Sequence, residues 1–166
     1  MTEEKKTNLS DFTFENIPDI DSMSIGIVVS EWNPEVTEKL KEGAVLTLLR
    51  QGVSENNINV EYVPGSFELP LAAQWMFEHL EVDAVICLGC VIQGETRHFE
   101  FICNTVAGAI SNIGLNYARP VIFGVLTTDN MQQALERAGG THGNKGVEAA
   151  VAAMKMISLG RKISGN

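Results

Sequence analysis

The amino-acid sequence predicts an α/β protein with a four-stranded parallel sheet covered by helices on both faces. Short apolar runs alternate with longer segments of helical periodicity, which is typical of repeated β-α units. The first and third runs are continuously apolar, as expected of strands that are buried on both faces. The predicted strands cover residues 24–30, 58–63, 83–90 and 120–126.

Five helical segments follow these strands. The first begins at Pro34, repeats an apolar residue at every fourth position and ends at Gly52. Asn130 and Gln133 have the spacing of a capping box and predict a short helix. The predicted segments are residues 34–51, 69–80, 99–117, 130–140 and the residues after Gly146.

The length of 166 residues suits one domain. Residues 1–22 are polar with little periodicity and are predicted to be a mobile N-terminal arm, followed by a single domain over residues 23–166. A formal net charge of −9 disfavours nucleic acid and anionic membranes as partners. No apolar run reaches the roughly 18 residues of a membrane span, and the N-terminus resembles no secretion signal. With three cysteines, too few for a disulfide framework, we expect a cytoplasmic protein.

Ligand binding is expected where the four strands end, because parallel strands present their carboxyl ends at one edge of the sheet. The loops at that edge carry Trp32, Phe67 and Glu68. A flat ring could stack between the two aromatic side chains, with the carboxylate accepting hydrogen bonds from its N–H groups. The alternative is an apolar loop plug at a subunit interface.

Residues 94–98 lead into the third helix, and the N–H groups of a helix N-terminus favour an anion. Thr96 adds a hydroxyl, and an ordinary helix cap is the competing interpretation. His98 stands beside this position, and an imidazole can transfer protons near neutral pH. His79 and His142 are expected to be exposed.

Two cysteines three residues apart lie on the third predicted strand. Because residues three apart on a strand point to opposite faces, Cys87 and Cys90 are not expected to form a redox pair or a zinc site. Cys90 alone, with His98 as its base, would instead make a cysteine-dependent hydrolase.

Five segments, in order along the chain, resemble the 6,7-dimethyl-8-ribityllumazine synthase family. They are Ser30-Glu-Trp-Asn33, Val63-Pro-Gly-Ser-Phe-Glu-Leu-Pro70, Leu88-Gly-Cys-Val-Ile-Gln-Gly-Glu-Thr-Arg-His-Phe-Glu100, Pro120-Val-Ile-Phe-Gly-Val-Leu-Thr-Thr-Asp129 and Arg137-Ala-Gly-Gly-Thr-His-Gly-Asn-Lys-Gly-Val-Glu148. The resemblance runs from about Ile25 to about Leu159. It implies a flavodoxin-like, three-layer α/β/α sandwich.

The resemblance also implies a reaction. A transferase of this family condenses 5-amino-6-(D-ribitylamino)uracil with 3,4-dihydroxy-2-butanone 4-phosphate, the penultimate step of riboflavin biosynthesis, with no metal or redox cofactor. His98 would be the proton donor and acceptor. The implied pyrimidine contacts are Trp32, Ser66, Phe67, Cys90, Val91, Ile92 and Phe123, the last from a neighbouring subunit. The implied ribityl contact is Glu68, and the implied phosphoketone contacts are Glu95, Thr96, Arg137 and Lys145.

The implied assembly is a homopentamer, with the N-terminal arm on a neighbour's sheet edge. The length of the loop over residues 139–146 favours an icosahedral shell of pentamers, and riboflavin synthase is a candidate partner. Two other functions stay open. A flavin- or lumazine-binding module would bind the ring without forming product, and a cysteine-dependent hydrolase would be inactivated by thiol alkylation.

Overall fold

A computed structural model describes residues 8–10, 12 and 16–165. Its main strands are β1 (Ile25–Ser30), β2 (Ile58–Val63), β3 (Ala84–Ile92) and β4 (Val121–Thr128). They form one sheet in the order β2-β1-β3-β4, and every neighbouring pair is parallel. The predicted four-stranded parallel sheet is therefore confirmed, and the four carboxyl ends share one edge.

Helices connect and cover these strands. They are α1 (Pro34–Gln51), α2 (Leu69–His79), α3 (His98–Tyr117), α4 (Met131–Glu136) and α5 (Lys145–Ser164). Gly52 ends α1 at φ 106°, a conformation that glycine adopts readily. Among the described residues, no helix combines the length and hydrophobicity needed to cross a bilayer.

The short helix α4 is present, but it is shorter than predicted. The Asn130 side chain accepts a hydrogen bond from the Gln133 N–H at 2.9 Å, as the capping spacing predicts. The helix ends at Glu136 because the next residues form an antiparallel hairpin of β5 (Ala138–Gly140) and β6 (Gly143–Asn144). The prediction that the helix extends to Gly139-Gly140 was wrong.

Two apolar clusters lie on opposite faces of the sheet, which gives the three expected layers. One cluster packs β1 and β3 against α1 and α5, and the other packs the sheet against α2 and α3. Cys90 belongs to the first cluster and Cys87 to the second, so the two thiols point to opposite faces as predicted.

The described part of the N-terminal arm contacts this domain. The Ser10 hydroxyl accepts a hydrogen bond from the Asn144 N–H at 2.6 Å, and Phe12, Ile17 and Ile20 pack against the α1/α5 cluster. The mobility predicted for residues 1–22 stays a prediction, and residues 1–7, 11 and 13–15 lie outside the described residues.

The first turn of α5 packs closely on α1 at Gly146. A Cβ atom there would lie far inside van der Waals distance of the Leu40 main-chain oxygen. We expect Gly146→Ala to lower the free energy of unfolding by about 1–3 kcal/mol, because main chain cannot yield as a flexible side chain can. The measurement is urea denaturation at one fixed protein concentration.

The matched control is Gly160→Ala in the same helix, where no heavy atom lies within 4 Å of the added methyl group. This variant should be neutral or stabilised by up to about 1 kcal/mol, since alanine has the higher helix propensity. Equal unfolding midpoints for the two variants would contradict the close approach of α5 to α1.

Candidate active site

A cavity of about 700 Å³ opens at the edge where the parallel strands end. Its wall comes from the segments after β1 and β2, the last residues of β3 and the first turns of α3. The lining residues are Trp32, Asn33, Gly65, Ser66, Phe67, Glu68, Cys90, Val91, Ile92, His98 and Ile102. This set contains His98 and every predicted pyrimidine or ribityl contact except Phe123.

Exposed aromatic rings and a carboxylate meet on one side of the cavity. Trp32 is 71% and Phe67 is 55% exposed, so neither ring serves the core. A Cβ atom on Gly65 would lie 3.3 Å from Cδ1 of Trp32 and 3.1 Å from Oε2 of Glu68. The bare main chain at Gly65 therefore allows the indole and the carboxylate to lie side by side. This arrangement suits a planar heterocycle that carries hydrogen-bond donors.

Main-chain groups at the end of β3 line the other side. The pairing of β1 with β3 stops at Val29 and Leu88, whereas the pairing of β3 with β4 continues to Ile92 and Thr128. Residues of a parallel strand direct their main-chain groups alternately to the two neighbouring strands. The Gln93 N–H bonds to Thr128 in β4, so the N–H and C=O of Ile92 are directed toward the β1 side, where the cavity lies.

Ser66 packs tightly at this wall. Its hydroxyl is buried and has no hydrogen-bond partner among the described residues. A Cβ atom on Gly89 would lie 2.5 Å from that oxygen, so the hydroxyl depends on a bare main chain in β3.

Cys90 contributes main chain to the cavity, while its thiol belongs to the core. The residue is 2% exposed, and burial raises the pKa of the thiol to about 11. The thiol is therefore protonated near neutral pH and is a poor nucleophile. No hydrogen bond joins Cys90 to His98 within the described part of the chain. These observations argue against the cysteine-dependent hydrolase.

His98 is the first residue of α3 and lines the cavity. Its N–H donates to the Thr96 hydroxyl at 3.4 Å, and the N-cap residue Arg97 provides no side-chain cap. Glu95 and Thr96 do not line the cavity. They lie in the exposed loop directly before α3. An imidazole thus stands beside a helix N-terminus, which favours an anion.

The other two histidines lie away from the cavity. His79 is exposed at the end of α2, as expected. His142 is half-buried, with Nε2 3.4 Å from the Glu136 carboxylate, so the expectation of an exposed side chain was wrong. The β5–β6 hairpin holds His142 against α4.

The remaining predicted site residues form a second group, near α5. Phe123 and Lys145 line a separate depression of about 330 Å³. Arg137 donates to a Glu148 oxygen at 2.7 Å and to the main-chain oxygen of His142. The Lys145 ammonium lies 3.2 Å from the other Glu148 oxygen. Within one chain, the cations expected to bind phosphate are therefore separate from the cavity at the ends of the strands.

The cavity at the ends of the strands has few charged side chains. The acidic and basic side chains that line it are Glu68 and His98, and no lysine or arginine is among its described lining residues. The described residues also contain no group of three or more His, Cys, Asp or Glu side chains that could hold a metal ion. A phosphate bound there would need a cation from elsewhere.

Sequence reasoning missed three lining residues. Asn33 precedes the proline that starts α1, which marks a helix cap, but its contact with β3 required the strand order. Gly65 followed a proline in the loop after β2 and was interpreted only as part of that loop. Ile102 lies one helical turn after His98, a spacing that puts both on one face of α3 and could have identified it.

Comparison with known proteins gives a consistent result. The family model for 6,7-dimethyl-8-ribityllumazine synthase matches residues 22–161. The 6,7-dimethyl-8-ribityllumazine synthase of Cytophaga hutchinsonii is 60% identical over 151 residues, which cover 91% of this chain and 94% of the relative. The enzyme of that name from Parabacteroides distasonis is 54% identical, covering 92% and 95% of the two chains. This chain belongs to the 6,7-dimethyl-8-ribityllumazine synthase family.

Proposed function

We propose that this protein condenses 5-amino-6-(D-ribitylamino)uracil with 3,4-dihydroxy-2-butanone 4-phosphate to 6,7-dimethyl-8-ribityllumazine, the penultimate step of riboflavin biosynthesis. Family membership supports the reaction. The observation that carries the proposal is that Trp32, Glu68 and His98 line one cavity. A stacking ring, a hydrogen-bond acceptor and a proton-transfer group are what this condensation requires.

In the proposed complex, the pyrimidine stacks on Trp32, with Ser66 and Phe67 at its edge. The main-chain groups of Ile92 pair with the ring amide groups, which offer both donors and acceptors, and Cys90 and Val91 lie against the ring. Glu68 accepts hydrogen bonds from the ribityl hydroxyls, because a carboxylate is an acceptor with two oxygens. The direction of the Ile92 peptide groups and the exposure of Trp32 support this placement.

The proposed chemistry begins when the pyrimidine amine attacks the ketone carbon. The carbonyl oxygen leaves as water to give an imine, phosphate is eliminated, and ring closure releases a second water. His98 donates and accepts the protons of these steps, since an imidazole can do both near neutral pH. Glu95 and Thr96 hold the phosphoketone at the start of α3. Holding the two reactive substrates together provides much of the rate enhancement.

We also propose that Phe123, Arg137 and Lys145 complete the cavity of a neighbouring copy in a homopentamer. The cavity has no lysine or arginine among its described lining residues, and a guanidinium suits a phosphate. The strand that carries Phe123, β4, lies at the edge of the main sheet. A neighbouring chain could therefore reach this surface.

Helix α3 supports the assembly. From Phe101 to Tyr117 it contains no Asp, Glu, Lys or Arg, yet Phe101 is 69% and Leu115 is 77% exposed in the single chain. Trp75 on the neighbouring α2 is also exposed. A solvated helix carries charged residues, whereas the buried centre of an interface is depleted of them. The proposal further includes a cytoplasmic icosahedral shell of pentamers and riboflavin synthase as a partner.

Replacement of the imidazole should slow the reaction without abolishing it. We expect His98→Ala to reduce kcat by about tenfold to a hundredfold, less than many acid–base residues contribute, because positioning does much of the work. Lumazine fluorescence after the two substrates are mixed measures the rate. The exposed His79 provides the control, and His79→Ala should match the unmodified protein. Complete loss of product in a folded His98→Ala variant would contradict this role.

The Arg137 guanidinium should contribute to the binding of one substrate only, the phosphoketone. Arg137→Ala should raise KM for the phosphoketone by about tenfold or more while leaving KM for the pyrimidine within about twofold, because only the former carries a phosphate. Arg50→Ala at the exposed end of α1 is the control. An unchanged KM for the phosphoketone would remove Arg137 from the proposed site.

Mixing tests whether the site is shared. When His98→Ala and Arg137→Ala chains are refolded together in equal amounts, about a quarter of shared sites regain both groups. At a phosphoketone concentration well below KM, activity above that of either variant alone is expected, and no recovery would contradict a shared site. Sedimentation of the unmodified protein gives the mass, and a mass near five chains would exclude the shell.

The buried thiol should be dispensable. We expect Cys90→Ala to keep kcat within about threefold, because the residue contributes main chain and not a nucleophile. Iodoacetamide at pH 7.5 should leave Cys90 of the folded protein unmodified in peptide mass spectra, since its pKa of about 11 keeps it protonated. Loss of catalytic activity in a folded Cys90→Ala variant would show that the thiol takes part in the chemistry, as the cysteine-dependent hydrolase requires. Ring binding without any product in the unmodified protein would favour the binding module.

A further inference from the structure

We infer that Asn33 is a positioning residue that holds the end of β3 so that its main chain faces the bound ring. Its side-chain Nδ2 donates a hydrogen bond to the main-chain oxygen of Cys90 at 3.0 Å. Both residues line the cavity at the ends of the strands. The inference rests on the proposed function and adds a residue that acts through β3.

The strand order explains why this hydrogen bond is needed. β3 extends beyond the last residue that β1 pairs with it, so the Cys90 oxygen points to a side where the sheet has ended. A longer β1 would offer a main-chain N–H at this place. The Asn33 amide takes the role of that missing N–H. Because Cys90 is largely buried, a hydrogen bond from the protein to its oxygen is favourable.

The main chain at Asn33 is adapted to this contact. The residue has φ 57° and ψ 56°, a left-handed conformation that is unfavourable for most residues with a Cβ atom and best tolerated by asparagine among them. Its carbonyl oxygen accepts hydrogen bonds from the N–H groups of Val36 and Thr37, which start α1. The main-chain oxygen of Asn33 thus bonds to α1, and its side-chain amide bonds to β3.

The consequence for binding follows along β3. The peptide groups of residues 90–92 alternate in direction, so fixing the Cys90 oxygen also fixes the direction of the Ile92 N–H and C=O. These two groups face the cavity. Without the Asn33 amide, β4 is the one strand that pairs with the end of β3 in the described part of the chain, and this end can twist. Pyrimidine binding should weaken, whereas phosphoketone binding, which does not use this segment, should not.

Two variants separate the parts of this role. Asn33→Gly keeps the left-handed main chain and removes the donor. Asn33→Asp keeps the shape and places a carboxylate oxygen against the Cys90 oxygen. The matched control is Asn57→Asp, because Nδ2 of Asn57 also donates to a main-chain oxygen, that of Asp21 at 3.1 Å, outside the cavity.

We expect both Asn33 variants to raise KM for the pyrimidine by about fivefold to tenfold, the effect of one lost hydrogen bond, with KM for the phosphoketone unchanged. Hydrogen exchange without substrate should become faster in the peptide covering residues 89–93 of Asn33→Gly. Asn57→Asp should change neither property. Urea denaturation should show that Asn33→Gly stays folded under assay conditions.

Unchanged exchange over residues 89–93, or an equal rise in both KM values, would overturn the inference. A failure of the proposed function is distinguishable from this result. If the unmodified protein forms no product, titration with 6,7-dimethyl-8-ribityllumazine still reports ring binding. Weaker binding by Asn33→Gly together with faster exchange would then support the positioning role, and unchanged binding would overturn it.

Discussion

The unequal lengths of two neighbouring parallel strands are the constraint on which the cavity depends. β1 ends at Ser30, whereas β3 runs on to Ile92 with only β4 beside it. The missing stretch of β1 leaves a gap in the sheet, and the segment after Ser30 turns away to start α1. Peptide groups of β3 that would otherwise be internal to the sheet are thus available to a ligand. In a sheet with matched strand ends, neighbouring strands would pair these groups.

Helix α1 links this cavity to the cationic segment. Asn33 at its start contacts β3, and the Lys39 main-chain oxygen further along accepts a hydrogen bond from the Asn144 side chain at 3.0 Å. The same asparagine caps α5 through the N–H groups of Gly146 and Val147. One helix therefore holds both the wall of the cavity and the segment that carries Lys145, so a change in α1 acts on both.

Prediction from sequence was accurate where one local pattern determined the outcome. The apolar runs specified the strands, and the spacing of Asn130 and Gln133 specified the start of α4. Prediction from sequence was wrong, or gave no result, where the structure depends on contacts between distant segments. The β5–β6 hairpin has no alternating pattern, the Asn33 contact requires β1 and β3 to be neighbours, and the half-burial of His142 follows from the hairpin. The proposed phosphate contacts of Arg137 and Lys145 rest on the resemblance, because their spacing indicates no partner for them.

Under the proposed function, a site built from two chains is electrostatically more favourable for the phosphate than one that each chain completes alone. Arg137 and Lys145 both contact Glu148, so this group has a formal net charge of +1. A formal net charge of −9 makes the rest of the chain unfavourable for a phosphate. The start of α3 is favourable, because the positive end of the helix dipole there attracts an anion. If the cations of one chain meet the α3 terminus of the next, two weak anion sites act on one phosphate.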